Sequence, residues 1–239
     1  MKKVLSIIGD HHALGPRDLC GLPNRLFMEL TERDPSVCWS VLGHGALGGI
    51  KSVLEVVPNA FVEMFSYEAD SYTAFIWVGV GEAKSGGIPL DAWTGMLDHL
   101  ICMARAADVT PILIAPLAPP FQLVEKPMRR WLKKASVAAH DLAQKRNVSV
   151  VEISLDPRSF IDLYALSARA YQHISSVLAD EYLGARTARR PKLAKAPEVI
   201  YKRKKSVPPI VKPKSQDNDD GSVVIMQPDK IRTRRSAHG

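Results

Sequence analysis

Along residues 1–185 the apolar positions follow two alternating patterns. Short continuous apolar runs recur at "KVLSIIG" (3–9), "VCWSVLG" (37–43), "TAFIWVGVG" (73–81), "VTPILIAPLAPP" (109–120) and "VSVVEISL" (148–155). Runs of this length bounded by Gly or Pro read as strands buried on both faces. Between them lie segments of helical spacing. In "NRLFMELTER" the residues Leu26, Phe27 and Leu30 share a face, and "IKSVLEVVP" reads as a short helix that stops at Pro58. In "PLDAWTGMLDHLICMARAA" the stripe is Trp93, Leu97, Leu100, Ile101 and Ala104, with Pro89 at an early helix position. "RRWLKKASVAAHDLAQKRN" predicts a basic-faced helix. The last helix, "LSARAYQHISSVLADEYLG", buries Tyr171, Ile174, Val177 and Leu178 and leaves His173 to water. Strands alternating with helices predict a parallel sheet covered on both faces, with its working loops at the carboxyl ends of the strands.

After Gly184 the pattern ends. Residues 186–239 are rich in Pro, Lys and Arg and carry no long periodic segment, so a disordered tail is expected there. The chain has 239 residues and a net charge of +7, but the tail alone holds fifteen Lys and Arg against five Asp and Glu. That is +10, which leaves −3 for residues 1–185. The basicity therefore belongs to "RTARR", "KRKK" and "RTRR", a candidate contact for nucleic acid, an anionic membrane or an acidic protein. Tyr201 is the one aromatic there that could stack on a base.

At 239 residues and 46% apolar, the chain can bury one sizeable core. No apolar run approaches a membrane span. The opening "MKKVLSIIGDHH" resembles a signal peptide, yet its apolar run stops at Gly9-Asp10 with no small-residue cleavage site, as a first strand would. Cys20, Cys38 and Cys102 are widely spaced and odd in number, which predicts reduced thiols in a cytoplasmic protein, with Cys20 and Cys38 in or near the core.

The order of these pieces resembles the SGNH (GDSL-like) hydrolases over residues 1–185. The first strand runs into Gly9-Asp10, as the family's Gly-Asp-Ser block does. The second runs into "GHGALGG", similar to its Asn-x-Gly-x-Ser-Gly turn, and the third into "GVGE", where the family has Gly-x-Asn-Asp. "DLYALSARAYQHIS" is similar to the Asp-x-x-His block and the helix after it, with Asp162 on the aspartate and Tyr171 on a tyrosine. The resemblance implies a flavodoxin-like three-layer α/β/α sandwich and, for many members, hydrolysis of ester or acetyl-ester bonds.

Carried over residue by residue, the family's catalytic set is largely replaced. The nucleophilic serine falls on His11, the oxyanion-hole asparagine on Gly81, the aspartate beside it on Glu82, and the base histidine on Ala165. Gly48, the glycine donor of the oxyanion hole, and Asp162 remain. Acyl transfer needs a nucleophile, a base within hydrogen-bond reach and donors for the oxyanion, and a methyl group takes no proton. Three functions stay open. The first is a pseudoenzyme that binds a ligand or partner at the old site. The second is an active hydrolase with a rearranged or metal-assisted histidine centre, and the third a polyanion-binding adaptor acting through the tail.

Asp10, as a turn carboxylate, is expected to accept backbone N–H bonds and order its loop. Asp162, without its histidine, reads as a helix N-terminal carboxylate. His11, His12, His44 and Glu82, with Asp10 beside them, all belong to loops at strand ends, and imidazole with carboxylate suits zinc or manganese. No ligand pair shares one helix. Ser85 is a candidate substitute nucleophile. "DHH" also occurs in a family of manganese phosphoesterases, but those need aspartates on earlier strands, and position 10 leaves no room for them.

Overall fold

The computed structural model describes residues 1–13, 15, 21–84, 87–120, 123, 125–162 and 165–184. Five parallel strands form one sheet: β1 (Lys2–Gly9), β2 (Cys38–Gly45), β3 (Ser71–Trp77), β4 (Thr110–Ile114) and β5 (Ser149–Val151). Their spatial order is β2-β1-β3-β4-β5, the flavodoxin-like order. The helices are α1 (Leu22–Arg33), α2 (Ile50–Phe65), α3 (Val80–Lys84), α4 (Leu90–Ala106), α5 (Lys126–Arg146) and α6 (Ala168–Tyr182).

Strand side chains alternate between faces. Leu5, Ile7, Phe75 and Trp77 pack against Leu22, Leu26, Leu30, Ile174 and Leu178 of α1 and α6. On the other face Val4, Ile8, Ala74 and Ile76 meet α2, α4 and α5 through Val57, Met64, Trp93, Leu97 and Leu142. From Val4 to Gly9 every residue of β1 is buried, as its unbroken apolar run requires. The α4 stripe is buried as predicted, and His173 is exposed.

Four expectations need correction. Phe27 lies on the outer side of α1, because Leu22, Leu26 and Leu30, four residues apart, already fill the core-facing row. Helix α2 does not stop at Pro58 but runs on to Phe65. Pro58 is exposed, so the carbonyl it leaves unbonded is on the solvent side, and buried Ala60, Phe61 and Met64 hold the next turns. Strand β5 ends at Val151, not Leu155: after Ala115 donates to the Val151 carbonyl, Pro116 has no N–H with which to extend the ladder. Cys38 is exposed at the first position of edge strand β2, and Cys102 is exposed on α4; both are free thiols. Cys20 and the tail, residues 186–239, lie outside the described residues.

Candidate functional site

Strand β1 lies between β2 and β3, and the chain leaves β1 for the α1 face but leaves β2 and β3 for the opposite face. This reversal is the topological switch point, where an open parallel sheet places its site. The loops after β1, β2 and β3 meet there, and two carboxylates lock them together.

Asp10 is buried, and its backbone N–H donates to the Trp77 carbonyl at 3.0 Å. Its Oδ2 accepts the N–H groups of Gly79, Val80 and Gly81 at 2.8, 2.8 and 3.0 Å. Asp10 thus accepts backbone N–H bonds as expected, but the turn it orders is the one between β3 and α3 rather than its own loop. Burial pushes its pKa up to about 6, against the pull of those three donors. Glu82 does the same work one loop away. It is buried, and Oε1 accepts the N–H of Ile50, the first residue of α2. Burial raises its pKa as well, opposed first by that Ile50 hydrogen bond.

Gly81 and Gly49 are pressed together by this pair of contacts. A Cβ on Gly81 would fall 2.5 Å from Gly49 Cα and 2.6 Å from Gly49 N. A Cβ on Gly49, whose φ is +76°, would fall 2.2 Å from Glu82 Oε1. Position 81 therefore has no room for a side chain, and its backbone N–H already belongs to Asp10. Gly48 is exposed beside them, and a Cβ there would meet Ser52 Oγ.

His11 is half-buried at the mouth of the β1–α1 loop; burial, then the Lys84 charge, lowers its pKa. His12 is fully buried, its ring centroid 5.3 Å from that of Trp77 at a tilt of 33°. Burial and, after it, the His11 charge lower its pKa to about 4, against the opposing pull of the Asp162 charge. His11 and Asp162 therefore each lie within electrostatic reach of His12. Asp162 is exposed, and Oδ1 accepts the Ala165 N–H at 2.8 Å. The Ile161 and Asp162 N–H groups donate to the Ala165 carbonyl, and Phe160 bridges Leu166, so Asp162 is not at a helix start; α6 begins at Ala168. At 165 the segment presents a methyl.

His44 does not join this group. Its Nδ1 lies 2.9 Å from Ser6 Oγ and its Nε2 2.8 Å from Glu63 Oε2, which fixes the ring between β1 and α2. With both nitrogens of His44 engaged and Glu82 on Ile50, the set His11, His12, His44 and Glu82 is not gathered around one point. Among the described residues no three His, Cys, Asp or Glu are placed to hold a metal ion. Ser85 lies outside the described residues. Tyr171 is buried, its pKa pushed up to about 12, and its ring lies 3.3 Å from where a Gly15 Cβ would stand.

Sequence reasoning missed two features. One is the contact of Gly49 with Gly81, which no single-residue pattern announces. The other is a cavity of about 460 Å³ at the carboxyl ends of β4 and β5, lined by Leu117, Ser136, Val137, Ser154, Leu155 and Phe160. It adjoins the site through Pro116, 3.1 Å from the Cβ position of Gly79.

Neither a protein-family model nor a curated protein sequence matches this chain. Solved structures do. A lipase/acylhydrolase from Enterococcus faecalis is similar at 17% identity and TM-score 0.61, over 77% of this chain and 97% of that one. The M. smegmatis aryl esterase is similar at 13% identity and TM-score 0.62, over 77% and 99%. A G-D-S-L family protein from Desulfitobacterium hafniense DCB-2 is similar at 15% identity and TM-score 0.54, over 74% and 97%. The described body has the fold of the SGNH (GDSL-like) hydrolases. No helix among the described residues is long and apolar enough to cross a membrane.

Proposed function

We propose that this chain uses the SGNH hydrolase fold without Ser–His acyl hydrolysis, as a pseudoenzyme that binds a small molecule or a protein partner at the carboxyl ends of the strands. The observation that carries this reading is at Gly81. Its N–H is held by Asp10 Oδ2 at 3.0 Å, and its missing side chain is required by Gly49. An acyl-transfer centre needs donors aimed at the developing oxyanion and a base for the nucleophile's proton. Here the asparagine position offers neither side chain nor spare N–H, and the base position offers the Ala165 methyl. The binding region would combine the half-buried His11 with the neighbouring cavity over β4 and β5. Free, exposed Cys38 and Cys102 fit a reducing, cytoplasmic setting.

The test is turnover of short-chain p-nitrophenyl esters and acetylated sugars by the full chain, beside His11→Ala. No difference between the two proteins is expected. Turnover that disappears in His11→Ala would establish the second reading, a rearranged hydrolase. That reading draws on the electrostatic reach of His11 and of Asp162 to His12. A metal-assisted version would need ligands beyond the groups described here.

A further inference from the structure

Near the loop that carries His11, the fold buries polar atoms that have no partner among the described residues. His12 is fully buried, and neither Nδ1 nor Nε2 has a hydrogen-bond partner among the described residues. Trp77, packed against the imidazole, is also buried, and its Nε1 has none. Asp10 is bonded to Trp77 through the backbone and precedes His12 by two residues. Its Oδ2 is occupied, while its buried Oδ1 has no hydrogen-bond partner among the described residues. Buried polar groups are almost always satisfied, and each exception calls for an explanation. Three of the residues that carry such atoms, Asp10, His12 and Trp77, contact one another, whereas Trp93, whose indole N–H is likewise buried without a partner among the described residues, packs on the opposite face of the sheet.

We propose that His12, Trp77 and Asp10 form a buried site for ordered water at the carboxyl ends of β1 and β3. The chemistry of the set selects the ligand. Trp77 supplies a donor, the neutral imidazole one donor and one acceptor, and Asp10 an acceptor. The indole N–H opposes a cation and the carboxylate opposes an anion. A small hydroxylic molecule satisfies all of them, and a polar site with two to four partners is where buried water is retained. Bound there, water ties the loop to the end of β3 and so fixes His11 at the mouth of the site. This assignment is independent of whether the body hydrolyses anything.

The tryptophans provide the experiment and its internal comparison. Trp39 Nε1 donates to the Asp34 carbonyl and Trp131 Nε1 to the Ile88 carbonyl, so both indoles are paired within the protein. In the ¹⁵N-labelled full chain, with the Trp77 signal assigned by Trp77→Phe, NOE and ROE spectra at the water frequency are compared across the indole N–H groups. Trp77 should give a water cross-peak whose sign reports residence beyond about a nanosecond, and Trp39 and Trp131 should not. Absence of that peak at Trp77 in the wild-type chain overturns the proposal. His12→Phe should lose the peak and melt several degrees lower. A His12→Phe protein that melts higher than wild type also overturns it, because an unpaired imidazole, unlike a water-bonded one, is improved by an apolar ring.

Discussion

Replacing Gly81 by Ala separates two physical effects that predict opposite signs. Gly81 lies within α3, and by helix propensity alone Gly→Ala stabilises by roughly 0.5–1 kcal/mol. Packing predicts the reverse. The new Cβ would lie 2.5 Å from Gly49 Cα and 2.6 Å from Gly49 N, about 1 Å inside ordinary carbon contact. Neither segment can yield without disturbing the carboxylate it is fastened to: Gly81 to Asp10, and the Gly49–Ile50 turn to Glu82. Overpacking of this kind costs about 1–3 kcal/mol. Weakening one hydrogen bond to a buried carboxylate adds about 1.5–3 kcal/mol. The net loss is then about 2–5 kcal/mol, and for a body of this size each kcal/mol moves the melting temperature by roughly 2–4 °C. Gly95 on α4 is the control, because a Cβ there meets nothing within 4 Å. Thermal unfolding followed by circular dichroism should show Gly95→Ala level with or slightly above wild type and Gly81→Ala roughly 5–15 °C below it. A Gly81→Ala protein as stable as wild type would mean that the β2–α2 loop moves freely, and the argument that the asparagine position is sterically closed would fail. For the same reason, writing the family residues back in as His11→Ser, Gly81→Asn and Ala165→His should yield a destabilised protein without esterase turnover.

Acid should expose two opposed titrations. His12 has its pKa lowered to about 4, so as pH falls below 6.5 the unfolded chain takes up a proton that the folded one refuses, and this contribution lowers stability down to about pH 4. Asp10 has its pKa raised to about 6, so the unfolded chain loses its proton first, and this contribution lowers stability as pH rises from 3.8 to about 6. The two slopes oppose each other between about pH 4 and 6. Removing one exposes the other: in urea titrations His12→Phe should gain about 3 kcal/mol relative to wild type on going from pH 6.5 to 4, and a constant difference refutes it. If the basic segment binds polyanions, deleting residues 186–239 should abolish salt-sensitive binding to RNA and anionic vesicles. Unchanged binding would exclude the tail as its cause.

The element order was legible because a sheet covered on both faces needs unbroken apolar strands and amphipathic helices between them. The resulting patterns at Val4–Gly9 and Trp93–Ala104 admit few alternatives. Errors arose where one residue was read apart from the surface it faces. Pro58 is a helix breaker only if its lost hydrogen bond is buried, and it is exposed. Phe27 is a core residue only if the inner row of α1 is vacant, and three leucines fill it. The site was half legible for the same reason. Topology correctly brought the loops after β1, β2 and β3 together, and Asp10 was legible as an acceptor of backbone N–H bonds, though for its own loop rather than the turn after β3. It could not foretell that His44 would turn to Ser6 and Glu63, since that depends on a glutamate nineteen residues later on a different element. Nor does a glycine in sequence reveal whether it is flexible, replaced or, as at position 81, required by another glycine.

On the proposed reading, these contacts would also account for a hydrolase fold that keeps its frame without acyl transfer. Backbone N–H groups at helix N-termini carry the positive end of the helix dipole, and an acyl-transfer enzyme aims such donors at the oxygen that becomes negative in the transition state. In this chain the protein supplies the negative oxygen itself. Asp10 takes the N–H groups that open α3, and Glu82 takes the first N–H of α2. A substrate oxyanion would have to displace a buried carboxylate from either place, and the displaced charge would be left in a site whose low polarity already pushes both pKa values upward. The same bonds fasten three loops to one another, so restoring a donor means releasing a staple. In this reading the loss of acyl transfer follows less from His11 and Ala165 taken singly than from a site whose electrostatics are satisfied before any ligand arrives.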